Sequence, residues 1–297
     1  MTYLYYPGCS LKGNGKAYEE SALQVFKALD MQFEELDDWN CCGATAYMAI
    51  SELQAFALSA RNLAIAEKHI SGNGTIDLIA PCAACYLVLN KTVNYLKDFQ
   101  DISHKIHSAL KAAGLKYEGR VRVRHPLDVL VNDIGIERIK ARVSRPLKEY
   151  KVASYYGCQI IRPYATFDDQ DNPQTMDSIL AALGAEIIDW PLKSRCCGGS
   201  LTGTIQDVGS RLSFILLKEA KKRGANVIST ACPLCQFNLE CYQDSMKSSF
   251  NEDVELASLY FTQLMGLAFG IEGKKIGMHR IFVQPKFTAQ GGSHARS

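Results

Sequence analysis

Short apolar runs alternate with longer amphipathic stretches along this chain, and the alternation is written twice. Tyr3 to Tyr6 reads as a strand, and a helix follows from about Ala17 to Leu29, with Ala22, Val25, Phe26 and Leu29 at helical spacing. Gln32 to Leu36 predicts a second strand, Glu52 to His69 an amphipathic helix, and Ile76 to Ala80 a buried strand. Helix resumes after Cys85 through about Leu96, and Val121 to Arg124 reads as a further strand. The second half keeps the order: strand Lys151 to Tyr156, helix Thr175 to Leu183 closed by Gly184, strand Glu186 to Asp189. Helix Val208 to Arg223, closed by Gly224, and strand Asn226 to Ser229 complete it. Strands alternating with helices predict α/β units with short parallel sheets and right-handed crossovers.

The length of 297 residues suits two domains of ordinary size, expected over 1–140 and 141–297. Arg138 to Lys151, with six basic residues and one acid, reads as the linker between them. After Gly273 the tail is polar, and Gly291 to Ser297 is expected to be disordered. A hydrophobic content of 47% with 22% charged residues is that of a soluble globular protein. The net charge of +2 gives no reason to expect nucleic acid or an anionic membrane as a partner. Met1 to Tyr6 lacks the features of a secretory signal. The apolar run from Leu256 to Ile271 is too short and too interrupted to span a bilayer, so no direct membrane insertion and a cytoplasmic location are expected.

Ten of the eleven cysteines form one pattern in two copies. The first is Cys9, Cys41-Cys42, Cys82 and Cys85, spaced C-x31-CC-x39-C-x2-C; the second is Cys158, Cys196-Cys197, Cys232 and Cys235, spaced C-x37-CC-x34-C-x2-C. The flanks echo as well, with Tyr-Pro-Gly before Cys9, Tyr-Tyr-Gly before Cys158, and glycine after each vicinal pair. Every group follows a predicted strand or opens a helix, where open α/β sheets build their sites. In a reducing compartment such spacings point to metal rather than disulfides. Soft thiolates hold iron in iron–sulfur clusters and allow one-electron change. Tetrahedral zinc in one or both sites is the alternative, although it leaves one cysteine of each five unused. Cys241 stands alone on a helix and reads as a buried hydrophobe.

On these residues the chain resembles the B component of heterodisulfide reductase, through the cysteine-rich CCG domain: a Cys, a distant CC-Gly, then C-x2-C. The match runs from Tyr3 to about Gly270. It implies two pseudo-symmetry-related domains with clusters at the carboxyl ends of their strands. It implies two non-cubane 4Fe-4S clusters, one on Cys9, Cys41, Cys42, Cys82 and Cys85, the other on Cys158, Cys196, Cys197, Cys232 and Cys235. It further implies a small-molecule disulfide wedged between the clusters and cleaved in two one-electron steps. The implied partners are the iron–sulfur C component and the flavin-containing A component of such a heterodisulfide reductase-like complex. The same domain pair also occurs in unusual succinate and fumarate reductases, where it would relay electrons without cleaving a disulfide.

Among other residues, His125 follows a strand and is a candidate proton source, against a hydrogen-bonded structural role. Lys12, Lys16, Lys193 and Arg195 flank cluster cysteines, where they could attract an anion or raise a potential, against ordinary solvated charge. Trp39 and Trp190 precede the vicinal pairs and could pack over a cluster. Asp168, Asp169 and Asp171 read as a solvated acidic loop. No glycine-rich phosphate loop stands out, so flavin or NAD would sit on a partner.

Overall fold

Tyr3-Leu4-Tyr5 has no polar face, so a strand there must be covered on both sides, which is the environment of a central parallel strand. In the computed structural model, which describes residues 2–44 and 46–287, that is where it lies. The first half runs β1 (Thr2–Tyr5), α1 (Gly8–Lys12), α2 (Lys16–Ala28), β2 (Gln32–Glu35), α3 (Ala46–Ile50), α4 (Glu52–Glu67) and β3 (Ile76–Ile79). It continues through α5 (Ala83–Asp98), α6 (Gln100–Ala112), β4 (Val121–Arg124), α7 (Pro126–Val129), a π-helical turn at Leu130–Ile134, and α8 (Ile136–Ala141). The second half runs β5 (Lys151–Tyr155), α9 (Thr175–Ala182), β6 (Glu186–Ile187), α10 (Leu201–Thr204), α11 (Gln206–Lys222) and β7 (Val227–Thr230). Then come α12 (Pro233–Glu240), α13 (Gln243–Phe250), β8 (Ala257–Tyr260) and α14 (Phe261–Ala268).

The two sheets have one topology. Their orders are β2-β1-β3-β4 and β6-β5-β7-β8, and every pairing is parallel. Tyr5 pairs with Glu35 on one side and Ile79 on the other; Val152 pairs with Ile187 and Val227. The polar β2 and the two-residue β6 are edge strands, which explains why Gln32 to Glu35 can carry charge there. Beyond Ile187 the expected strand to Asp189 is not formed. The chain instead turns inward so that Trp190 is buried with its indole N–H donating to the Ser154 carbonyl at 2.9 Å.

The halves share one core. Rings make two reciprocal contacts across the join: Tyr18, nine residues after Cys9, stacks on Tyr260 at the end of β8, 4.4 Å between centroids and 7° between planes. Phe167, nine residues after Cys158, lies parallel to His125 at the end of β4, at 6.1 Å and 2°. Helices α2 and α14 pack beside the first contact, where the Ser21 and Thr262 hydroxyls meet at 2.6 Å. The basic connection expected as a linker is packed instead. Arg138 donates to the Leu29 carbonyl at 2.6 Å, the Ser144 and Arg145 amides donate to the Ala268 carbonyl, and Leu147 is buried. The tail after Gly273 makes two 3₁₀ turns, buries Ile276 and pairs Arg280 with Glu20 at 2.8 Å. The expectation of disorder for Gly291 to Ser297 falls outside the described residues.

Candidate functional site

In each half the sheet order puts the first strand between the second and the third, so chain leaving these three parallel strands converges beyond their carboxyl ends. That end of each sheet carries five thiols. In the first half Cys9 opens α1 after β1, Cys41 and Cys42 follow β2, and Cys82 is the N-cap of α5, which carries Cys85. In the second, Cys158 follows β5, Cys196 and Cys197 lie before α10, and Cys232 caps α12, which carries Cys235. All eleven cysteines are free thiols.

The sulfurs are brought into mutual contact. Cys42 Sγ lies 3.2 Å from Cys85 Sγ, and Cys197 Sγ lies 3.4 Å from Cys235 Sγ. Cys42, Cys82 and Cys85 are buried, as are Cys197, Cys232 and Cys235, while Cys9 and Cys41, and Cys158 and Cys196, form the more open side of each group. Hydrogen bonds from Cys41 and Cys85 hold the Cys42 thiol well below its usual range, and those thiols are pushed up in return. In the second group Cys158 and Cys197 act likewise on Cys196, which is held down to about 2, helped by the Gly198 amide at 3.3 Å. One thiolate in the first group, Cys42, and two in the second, Cys196 and Cys232, are therefore stabilised by their neighbours, and further ionisation needs a cation. Among the described residues no three His, Cys, Asp or Glu side chains are already arranged around a single point as ligands of one metal ion.

The backbone around both groups leaves space where a side chain would intrude. Gly8 at φ +65° would place a Cβ 2.9 Å from Cys85 Sγ, and Gly157 at φ +68° one 3.3 Å from Cys235 Sγ. After the vicinal pairs, a Cβ on Gly43 or on Gly198 would lie 2.9 Å from the Cα of Ala55 on α4 or of Gly209 on α11. The tyrosine three residues before the first cysteine pins each vicinal loop. Tyr6 donates to the Asn40 carbonyl at 2.7 Å, and Tyr155 to the Arg195 carbonyl at 2.6 Å. Trp39 packs on Tyr6 and Trp190 on Tyr155, so the tryptophans support these tyrosines. The doubled Tyr-Tyr near each first cysteine was the signal available for this role.

A cavity of about 410 Å³ opens onto the second group. All five of its cysteines line it, while the opposite wall comes from the first half, through Met48, Ala83, Leu87, Val88 and Lys91; no first-group cysteine does. Most of the lining is apolar, and Lys91 pairs with Glu52.

Three of the four flanking charges are paired. Lys12 and Lys16 both hold the buried Glu19 at 2.6 Å, and Lys193 is itself buried and paired with Asp177 at 2.7 Å; Arg195 is exposed. Asp168 accepts from the Gln174 and Thr175 amides ahead of α9, while Asp169 and Asp171 are exposed. His125 is fully buried, its Nδ1 accepting from the Leu127 amide at 3.2 Å and its Nε2 donating to the Pro81 carbonyl at 3.1 Å. Burial pushes its pKa down to about 4, so it is a neutral imidazole with both nitrogens engaged. Cys241 is exposed rather than buried, because it follows the last residue of α12 and turns outward beside a surface cavity of about 460 Å³. Burial of part of its side chain pushes its pKa up to about 11.

The family model described as a cysteine-rich domain, CCG, matches residues 3–90 and 152–240. A relative from Wolinella succinogenes, named 8-methylmenaquinol:fumarate reductase membrane anchor subunit, is 29% identical over 93% of this chain and 95% of its own. One from Archaeoglobus profundus, named as a protein like the B component of heterodisulfide reductase, is 28% identical over 93% of each. A crystal structure of a hypothetical protein from Helicobacter pylori has a TM-score of 0.73 at 16% identity, over 97% of this chain and about half (52%) of its own; that likeness is one of fold. Among the described residues no helix is long and apolar enough to cross a membrane.

Proposed function

This chain belongs to the family built on the cysteine-rich CCG domain, and from that premise we propose that it is the iron–sulfur subunit of a heterodisulfide reductase-like complex. In this reading each five-cysteine group holds one non-cubane 4Fe-4S cluster. The observation that carries it is the gathering of five cysteines at the strand ends of each half, with one sulfur pair in contact in each group, at 3.2 and 3.4 Å, beside backbone that glycine keeps clear. The donor set fits the group: thiolates suit iron, and sulfurs distributed around a volume suit a cluster better than one ion.

When bound, such clusters supply one-electron change and iron sites with affinity for sulfur. The reaction takes up two electrons and two protons and converts one disulfide into two thiols. The chain's own residues do the rest. Apolar side chains of the cavity, among them Met48, Leu87 and Leu234, make the wall that faces the sulfurs of the second group largely apolar. Tyr6 and Tyr155 hold the vicinal loops in place, and Gly8 and Gly157 let the backbone approach. Lys91 offers the one cationic group among the cavity-lining residues for an acidic end of the substrate, once freed from Glu52. Neutral His125, with both nitrogens engaged, is not assigned a proton, so the two protons enter with solvent at product release. Electrons would arrive through the iron–sulfur C component from the flavin-bearing A component.

A second reading has specific support in the relative named for fumarate reduction: the same clusters relay electrons without breaking a disulfide. Anaerobic purification with iron, sulfide and zinc analysis tests the premise, and zinc without iron would sink it. Titrating the reduced protein with a disulfide under EPR separates the two readings. A substrate-bound paramagnetic species and thiol release support disulfide reduction; neither appearing supports the relay. Cys42→Ser and Cys197→Ser should each lose iron from one site, and unchanged iron in both would refute the ligand map.

A further inference from the structure

The stacked pair Tyr18 and Tyr260 has a property that its packing does not require. Both rings are fully buried, and neither hydroxyl has a hydrogen-bond partner. A buried hydroxyl left unpaired destabilises the fold, and Phe at either position would give the same stacking without that penalty. The pair stands where the two halves join, and so do the two C-x2-C turns. Pro233, next to Cys232, lies 3.1 Å from where a Cβ on Gly15 would be, three residues before Tyr18. After burial itself, the neighbours that act on the Tyr260 hydroxyl are Cys232 and Cys82, one from each five-cysteine group. Tyr18 senses the same two cysteines after Tyr260 and Tyr5. The opposite clasp lacks this property: Phe167 has no donor, and the His125 Nε2–H is spent on the Pro81 carbonyl. Between the two clasps, the unspent donors are therefore those of Tyr18 and Tyr260.

We propose that the Tyr18 and Tyr260 hydroxyls are hydrogen-bond donors to the sulfur-rich faces of the two cysteine centres when these hold their clusters, so that one stacked pair tunes the reduction potential of both. This rests on the iron–sulfur reading above. Hydrogen bonds to cluster sulfur stabilise the more negative, reduced form and raise its potential. The two residues touch no substrate; they act through the clusters. Their position also makes the tuning common to both centres, which suits a reaction that draws one electron from each.

Tyr→Phe is the variant of choice, since it keeps the ring and removes only the oxygen. The full-length chain is prepared as wild type, Tyr18→Phe, Tyr260→Phe and the double variant, each with and without anaerobic loading of iron and sulfide. Without iron, the variants should be as stable to urea as wild type or more so. With iron, EPR-monitored titration should place their midpoint potentials below wild type, lowest in the double variant. Pulsed EPR in deuterated buffer should show an exchangeable proton coupled to the wild-type clusters that the double variant lacks. Normal iron content with unmoved potentials and an unchanged proton signal would overturn the inference, meaning that the hydroxyls are idle or bridged by water. A wild type that takes up no iron would overturn the functional reading itself.

Discussion

Gly43 and Gly198 show how little freedom the vicinal cysteine loops have. Both have positive φ, +82° and +102°, and both face helix backbone at 2.9 Å. Alanine there should cost about 2–5 kcal/mol, the sum of a left-handed backbone penalty and overpacking. Gly114 is the control: its φ is +70°, but nothing lies within 4 Å, so Gly114→Ala should cost only about 1–2 kcal/mol. Urea midpoints of the iron-free chain measure all three. Equal losses at Gly43 and Gly114 would mean that the approach to α4 does not matter. Gly8→Ala differs again, because its Cβ meets a sulfur at 2.9 Å rather than backbone, and reduced iron content is its expected signature.

At the scale of elements, His125 is the N-cap of α7 and ties that helix to the carbonyl that precedes Cys82. Its pKa of about 4 in the fold lies below the usual 6.5, so below 6.5 the unfolded chain binds a proton that the fold resists. The stabilisation from the neutral imidazole is therefore complete above about pH 6.5 and is lost as the pH falls towards 4, by up to about 1.4 kcal/mol per pH unit. His125→Asn, which can cap and donate but does not titrate, should flatten that part of the urea-midpoint profile. A profile as steep as wild type would place the acid sensitivity elsewhere. The elements legible in the sequence were those with a clear period: the strands before each cysteine group, α2, α4 and α11. Those it hid have physical reasons. Leu256 to Ile271 is mostly apolar, with its few polar residues at no regular spacing, so no period separated β8 from α14. The cysteine groups were readable because thiol spacing survives any ambiguity of period, but the ring clasps were not, since their partners lie far apart in the chain.

For the whole molecule, the shared core and the packed connection predict a single cooperative thermal transition rather than two. Calorimetry would show this, and limited proteolysis should leave residues 141–150 uncut, since their amides and Leu147 are held against the second half. Two resolved transitions would mean that the halves are independent. The reciprocal clasps carry a further consequence. In each, the ring nine residues after a half's first cysteine meets the end of the other half's fourth strand, an isologous exchange of the kind that closes a twofold homodimer. The chain is arranged as such a dimer fused into one polypeptide. Fusion releases the two copies from identity. A homodimer must repeat every substitution on both sides of its axis, whereas this chain can keep tyrosines in one clasp, phenylalanine and histidine in the other, and a cavity facing one cysteine group alone.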